Sequence, residues 1–152
     1  CEMRVVIQRV SYCRVTISGI LHSEIGKGML ILLGIEERDE EEDLQWMLSK
    51  CSGLRIFSDE QGQMNLNLEE INGQIMVVSQ FTLFASTKKG NRPGFTRSAK
   101  RPVAESIYEA FIQGMSAMHP EKVKTGIFGA DMQIELLNDG PVSIIIDTKA
   151  KE

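Results

Sequence analysis

The chain has 152 residues, 42% of them hydrophobic and 25% charged, a composition that suits one globular domain with a sizeable core. Three cysteines, Cys1, Cys13 and Cys51, are odd in number and lack any ligand spacing, which argues against a disulfide framework and a zinc site. No apolar stretch approaches the roughly 18 residues of a spanning helix, and the N-terminus does not read as a signal peptide. A soluble, cytoplasmic protein in a reducing compartment is expected, without a membrane partner, metal or cofactor. Met3 opens a strand-like run and reads as the natural start, so residues 1–2 read as expression remnants and 3–149 as the domain.

Net charge is −4, but it is unevenly placed. Between Ile71 and Ala104 there is no Asp or Glu, while Lys88, Lys89, Arg92, Arg97, Lys100 and Arg101 add six positive charges. The rest of the chain holds 11 basic against 21 acidic residues. Such a segment either holds phosphates by local charge neutralisation or is a solvated surface loop.

Residues 3–10 and 13–17 are short β-branched runs separated by polar residues, and Ser18-Gly19 makes a turn before a strand at 20–22. Gly26-Lys27-Gly28 leads into a continuous apolar run at 29–35, the pattern of a central strand buried on both faces. Asp39 caps a helix with Glu42 three residues on, and Leu44, Met47, Leu48, Cys51 and Leu54 follow at helical spacing until Gly53 stops it. Residues 54–57, the turn Asp59-Glu60-Gln61-Gly62, and Asn72-Gly73 before 74–81 predict hairpin-connected strands. A second helix starts near Pro102 and carries Ala104, Ile107, Tyr108, Phe111, Met115 and Met118 on one stripe, weakened at Gly114. Residues 122–125, 132–137 and 142–147 read as strands, with Asn138-Asp139-Gly140-Pro141 as the turn joining the last two. These elements predict a single-domain α+β fold, a mostly antiparallel, barrel-like sheet with two helices packed against it.

Candidate chemistry is sparse. A Ser-His-Asp constellation needs a histidine, and neither His22, in a turn, nor His119, beside Pro120, is placed by any motif. Gly26-Lys27-Gly28 and Lys89-Gly90-Asn91 lack the flanks of a phosphate loop and read as turns. Two polar segments remain. Ser79-Gln80-Phe81-Thr82 ends a buried strand and either presents backbone N–H groups to a carbonyl or is a satisfied strand terminus. Asn138 to Ser143 contains a glycine that allows close backbone approach and a proline that fixes the turn, or is a plain hairpin turn.

Six ordered segments break this tie. Gln8-Arg9-Val10, Leu54-Arg55-Ile56-Phe57, Val78-Ser79-Gln80-Phe81-Thr82-Leu83, Lys89-Gly90-Asn91-Arg92-Pro93, Phe128-Gly129-Ala130 and Asn138-Asp139-Gly140-Pro141-Val142 resemble the D-aminoacyl-tRNA deacylases in order and spacing, from Met3 to Asp147. One departure is Ser143, where the family usually has threonine; the hydroxyl is kept and a methyl lost. The resemblance implies hydrolysis of the ester between a D-amino acid, or mischarged glycine, and the terminal ribose of transfer RNA, by a homodimer without metal. It further implies that Gly140 and Pro141 form a cis pair that enters the partner's site and rejects L-amino acids. It assigns ester polarisation to the backbone of Phe81 and Thr82 and the pocket shape to Ser79 and Gln80. Arg9 would orient the Gly-Pro segment, Phe128, Gly129, Ala130 and Met132 would line an adenosine pocket, and the ribose 2′-hydroxyl would help activate water. Lys88, Lys89 and Arg92 would hold acceptor-end phosphates. Two other readings stand beside this one: an RNA-binding module without catalysis, and an acyl hydrolase with Thr82 as covalent nucleophile, which lacks a visible activating base.

Overall fold

A computed structural model describes residues 3–36 and 41–151 of the chain. Residues 1–2 and the predicted cap Asp39 lie outside the described residues.

Strand β1 (Met3–Ile17) is one strand of 15 residues where the sequence pattern predicts two. The polar pair Ser11 and Tyr12 does not interrupt it, because alternation turns the Tyr12 ring outward, where its hydroxyl donates to Glu135 at 3.0 Å. Strand β2 (Ile20–Ile25) folds back antiparallel through Ser18 and Gly19, whose φ of 53° and 77° match the tight hairpin turn favoured by strand twist. Strand β3 (Gly28–Ile35) pairs antiparallel with the first half of β1 and is buried almost throughout, as its continuous apolar run predicts. Helix α1 (Glu41–Gly53) follows.

Of the predicted hairpins beyond α1, the one around Asp59-Glu60-Gln61-Gly62 forms, with antiparallel strands on either side, whereas the strand after Asn72-Gly73 pairs elsewhere. Strands β4 (Phe57–Ser58) and β5 (Met64–Leu66) form a small sheet of their own. Strand β6 (Gln74–Ser79) joins the main sheet parallel to β3, and strand β7 (Val123–Thr125), which follows helix α2 (Arg101–Met118), joins parallel to β6. Strand β8 (Met132–Asp147) corrects the predicted final hairpin: both its halves pair antiparallel with β1. The register jumps from Gln8 opposite Ser143 to Val10 opposite Asn138, so residues 139–142 bulge out of a single long strand.

The main sheet is therefore mixed, antiparallel around β1 and parallel through β3, β6 and β7, in the order β2-β1-β3-β6-β7 with β8 also on β1. Its two ends meet: Ser23 Oγ on β2 donates to the Thr125 carbonyl on β7 at 2.8 Å, which nearly closes the barrel. Alternate residues of the central strands feed two cores. Ile31, Leu33, Ile75 and Val77 pack with Met47, Cys51, Phe111 and Met115 of the helices, whereas Leu30, Met76 and Val78 face Val10, Cys13, Val15 and Ile25 inside the barrel. Each fully buried large apolar side chain contributes roughly 1.5–3 kcal/mol. Burial pushes the Cys51 thiol up to about 12 and the Cys13 thiol up to about 11, so both are inert core residues at neutral pH.

Candidate active site

Because β3 and β6 run parallel, both finish on the same side of the sheet. The ladder extends one step, with Gln80 N–H donating to the Leu33 carbonyl at 2.8 Å. The chain then tightens into a 3-10 turn over Phe81–Phe84, where the sequence pattern continues the strand to residue 81. Gly34 lets this turn sit on β3: a Cβ there would lie 2.9 Å from Leu83 Cβ and 3.1 Å from the Gln80 carbonyl oxygen. The first N–H groups of such a turn, those of Phe81 and Thr82, have no acceptor within it.

A cavity of about 270 Å³ opens beside these strand ends. Ser79, Gln80 and Phe81 line one part of it, and Phe128, Gly129 and Ala130, from the segment between β7 and β8, with Met132 at the start of β8, line another. Seven residues singled out from the sequence are thus brought together. Leu33, Ile35, Val78, Ala99, Ala104 and Ile134 complete the lining, and sequence reasoning did not assign them to a site. Most of them read as core residues; the small side chains Ala99 and Ala104, which leave space next to a buried stripe, were the available signal. The Phe128 ring packs against Tyr108 at 5.6 Å between centroids, and the Arg101 guanidinium lies over it, 5.6 Å from its centroid.

The remaining predicted residues lie elsewhere. Thr82 is exposed, next to the cavity but not in its lining, and its Oγ1 accepts a hydrogen bond from Gln80 Nε2. Gly140 and Pro141 are exposed, joined by a cis peptide, and do not line the cavity of their own chain. Their bulge is braced from below: the buried Arg9 donates from Nε to the Asp139 carbonyl at 2.9 Å and from Nη1 to the Ile56 carbonyl at 2.8 Å. Gly140 has φ 135°, and a Cβ on it would come within 3.0 Å of Arg9 Nη2. Across the neck of the bulge, Asn138 Oδ1 accepts from Val142 N–H at 3.0 Å and Asn138 Nδ2 donates to Ser143 Oγ at 3.2 Å. Ser143 is exposed, so the methyl it lacks relative to threonine leaves no buried void.

Lys88, Lys89 and Arg92 are exposed on the loop between the 3-10 turn and α2. Ser86 and Gly94 exchange two backbone hydrogen bonds of 2.8 Å that close the neck of this loop. Neither histidine lines the cavity. His22 is exposed on β2, and His119 is buried past the end of α2, its Nε2 2.6 Å from Ser52 Oγ; burial lowers its pKa. Among the described residues, no three His, Cys, Asp or Glu side chains gather in a metal-binding group.

The family model described as D-Tyr-tRNA(Tyr) deacylase matches residues 6–147, which include every site residue named above. The chain belongs to the D-aminoacyl-tRNA deacylase family. The D-aminoacyl-tRNA deacylase of Porphyromonas gingivalis is 55% identical over 150 residues, covering 99% of this chain and all of that protein, and that of Bacteroides fragilis is 57% identical with the same coverage. Among solved structures, a c-Myc DNA unwinding element binding protein superposes with TM-score 0.89 at 39% identity, over 94% of this chain and 97% of that one. A probable eukaryotic D-amino acid tRNA deacylase shares the fold with TM-score 0.85 at 16% identity, over 97% of this chain and all of that one. As a member of the deacylase family the chain is a hydrolase. Among the described residues no helix is long and apolar enough to cross a membrane.

Proposed function

We propose that this chain is a cytoplasmic editing enzyme that hydrolyses the ester of D-aminoacyl-tRNA, and of glycine mischarged on alanine transfer RNA, in the cavity at the ends of β3 and β6. The observation that carries the reading is that residues 79–81 and residues 128–130 with Met132, far apart in sequence, line one cavity. Its lining supplies an aromatic ring, Phe128, for a terminal base, and it borders a turn whose leading N–H groups have no acceptor within the turn.

In this reading the N–H groups of Phe81 and Thr82 polarise the ester carbonyl and stabilise the oxyanion that forms when water attacks. No histidine is at hand to deprotonate that water. The ribose 2′-hydroxyl of the substrate, adjacent to the ester oxygen, takes the proton-relay role. The Thr82 hydroxyl, which lacks a base, is not the nucleophile.

The Gly140-Pro141 bulge acts on the site of a second copy. It bulges from β8 without lining the cavity of its own chain, and β8 also exposes Leu137 and Ile145, 48% and 69% accessible, as apolar surface for a symmetric contact. Carbonyl oxygens of Gly140 and Pro141, set against the substrate amino group, leave no room for an L side chain while a D side chain points outward. Glycine has no side chain to reject. Discrimination by a clash reads little of the accepted side chain, so many D-amino acids are tolerated.

The test is to incubate the protein with matched D-, L- and glycyl-tRNA and follow release of the amino acid. Release from D- and glycyl-tRNA with L-aminoacyl-tRNA spared is expected. Binding of all three without release would leave an RNA-binding module instead, and a monomeric species with full activity would remove the two-chain site.

A further inference from the structure

We propose that Ser98 is a positioning residue for the reaction, setting the direction of the Thr82 N–H by holding the other end of the same peptide plane. The proposal rests on the reading of the Thr82 N–H as an oxyanion donor. Ser98 does not line the cavity; its hydroxyl donates to the Phe81 carbonyl oxygen at 2.9 Å. The peptide unit is planar and its C=O and N–H point in opposite directions, so fixing the Phe81 carbonyl fixes the Thr82 N–H.

The turn needs that support. It has four residues, its hydrogen-bond geometry is of the weaker 3-10 kind, and Gln80 at its start provides no side-chain cap to the backbone. An oxyanion donor is worth most when it is already aimed before charge develops, and a loosely held peptide must reorganise at the moment of reaction. Ser98 is itself fixed to the sheet. It bridges antiparallel to Glu36 just beyond β3, and the next residue, Ala99, donates its N–H to the Ile35 carbonyl at 2.8 Å. The Ser98 hydroxyl therefore ties the turn to the strand on which the cavity is built.

A second contact reinforces the first. The Phe95 ring meets the Phe81 ring edge-on at 5.0 Å between centroids and 73° between planes. Phe81 is 58% exposed, so this contact and the Ser98 hydrogen bond hold a residue that the core does not. Both come from the end of the loop that carries Lys88, Lys89 and Arg92.

The experiment is steady-state hydrolysis of D-aminoacyl-tRNA by the full chain, comparing Ser98→Ala, Ser98→Thr and Ser98→Cys, alongside a protein in which residue 82 is an α-hydroxy acid and so lacks its N–H. Losing a whole oxyanion donor typically costs about 100- to 1,000-fold in rate, and a misaimed one less, so Ser98→Ala is expected to lower kcat by about 10-fold with KM within about twofold. Ser98→Thr, which keeps the hydroxyl, is expected to restore kcat to within about threefold, and Ser98→Cys, a weak donor, to fall between the two. A merely structural serine would not give this order. Equal kcat for the alanine and wild-type proteins, or a loss carried by KM, would overturn the positioning role. If Ser98→Ala does not fold, the comparison of Thr with Cys decides the question by the same order. If the α-hydroxy protein reacts at the normal rate, it is the oxyanion reading that fails; if that protein is slow and the serine variants are not, only Ser98 is wrong.

Discussion

The cavity wall and the Gly140-Pro141 bulge are both irregular backbone held by side chains, but they are held in opposite ways. The wall at residues 79–81 leads into a turn that lies over Gly34 and is tied to β3, all within a single chain. The bulge is convex, leaves the β1–β8 ladder and is braced by Arg9 and Asn138 without touching that cavity. The surface proposed to polarise the ester and the projection proposed to sense handedness thus rest on different supports. Rate and chiral selectivity should therefore be separable by substitution, although both belong to one reaction.

The strongest challenge to the comparison is to take chemistry away from the wall altogether. A D-aminoacyl-tRNA with a terminal 2′-deoxyribose and a 3′ ester is expected to bind normally and react about 100- to 10,000-fold more slowly, the range of a lost general acid–base group. Thr82→Ala, which keeps the N–H, is expected to remain within about tenfold of the normal rate, well short of the loss of a donor. The reverse pattern in single-turnover rates, with a dead Thr82→Ala and an unaffected deoxy substrate, would make threonine the nucleophile.

A smaller effect should leave both regions intact and touch only binding. Replacing Lys88, Lys89 and Arg92 together with Ala is expected to reduce the slope of log Kd against log salt by about 2 for single-stranded or 3 for duplex contacts. Affinity should fall similarly for different transfer RNAs, since phosphate contacts carry no base information. Filter binding across a salt series reads this, and an unchanged slope would return the segment to a solvated loop.

The bulge is addressed by Arg9→Lys, which keeps a charge but cannot make both hydrogen bonds with the same planar fork. A hydrogen bond to a charged group is worth about 1.5–3 kcal/mol, so the ratio of D to L hydrolysis is expected to drop by about tenfold or more. Comparison of the two kcat/KM values checks it, and a drop in both rates with the ratio preserved would show that the bulge and the wall are not independent.

The smallest effect involves a residue that belongs to neither region. Burial lowers the His119 pKa, so between its folded and ordinary values the unfolded chain binds a proton that the folded chain does not. Stability therefore rises with pH in that window and is lost as pH falls below the ordinary histidine value of about 6.5. Thermal unfolding should show a decline of Tm toward pH 5 that His119→Asn flattens, while D to L selectivity at pH 7 stays the same.

Local signals in the sequence were enough for some elements and not for others. The apolar run of β3, the stripes of α1 and α2, and the Ser18-Gly19 turn carry their own periodicity or turn chemistry, and all form where the pattern predicts. The parallel pairing of β6 with β3 has no such mark, because the intervening crossover contains α1 and the β4-β5 sheet rather than a tight turn. Asn138-Asp139-Gly140-Pro141 has the residues of a hairpin turn, but the strands on its two sides both find their partner in β1, a tertiary choice that local composition does not encode. Family resemblance marks Ser79, Gln80, Phe81, Phe128, Gly129, Ala130 and Met132 but not the other cavity residues, and periodicity alone reads Ser79 to Thr82 as a strand end.

The long β1–β8 ladder also bears on how the chain is made. Residue 4 pairs with residue 147, so β1 must wait through most of synthesis before β8 covers its second edge. An exposed edge of alternating apolar residues invites pairing with other nascent chains, and charges placed along it discourage this. β1 carries Arg4, Arg9 and Arg14 at intervals of five. In the finished fold all three reach β8: Arg4 meets Asp147 at 2.9 Å, Arg9 the Asp139 carbonyl at 2.9 Å, and Arg14 Glu135 at 3.2 Å. The same guanidinium groups that guard the waiting edge become the pins that set its register when the last strand arrives.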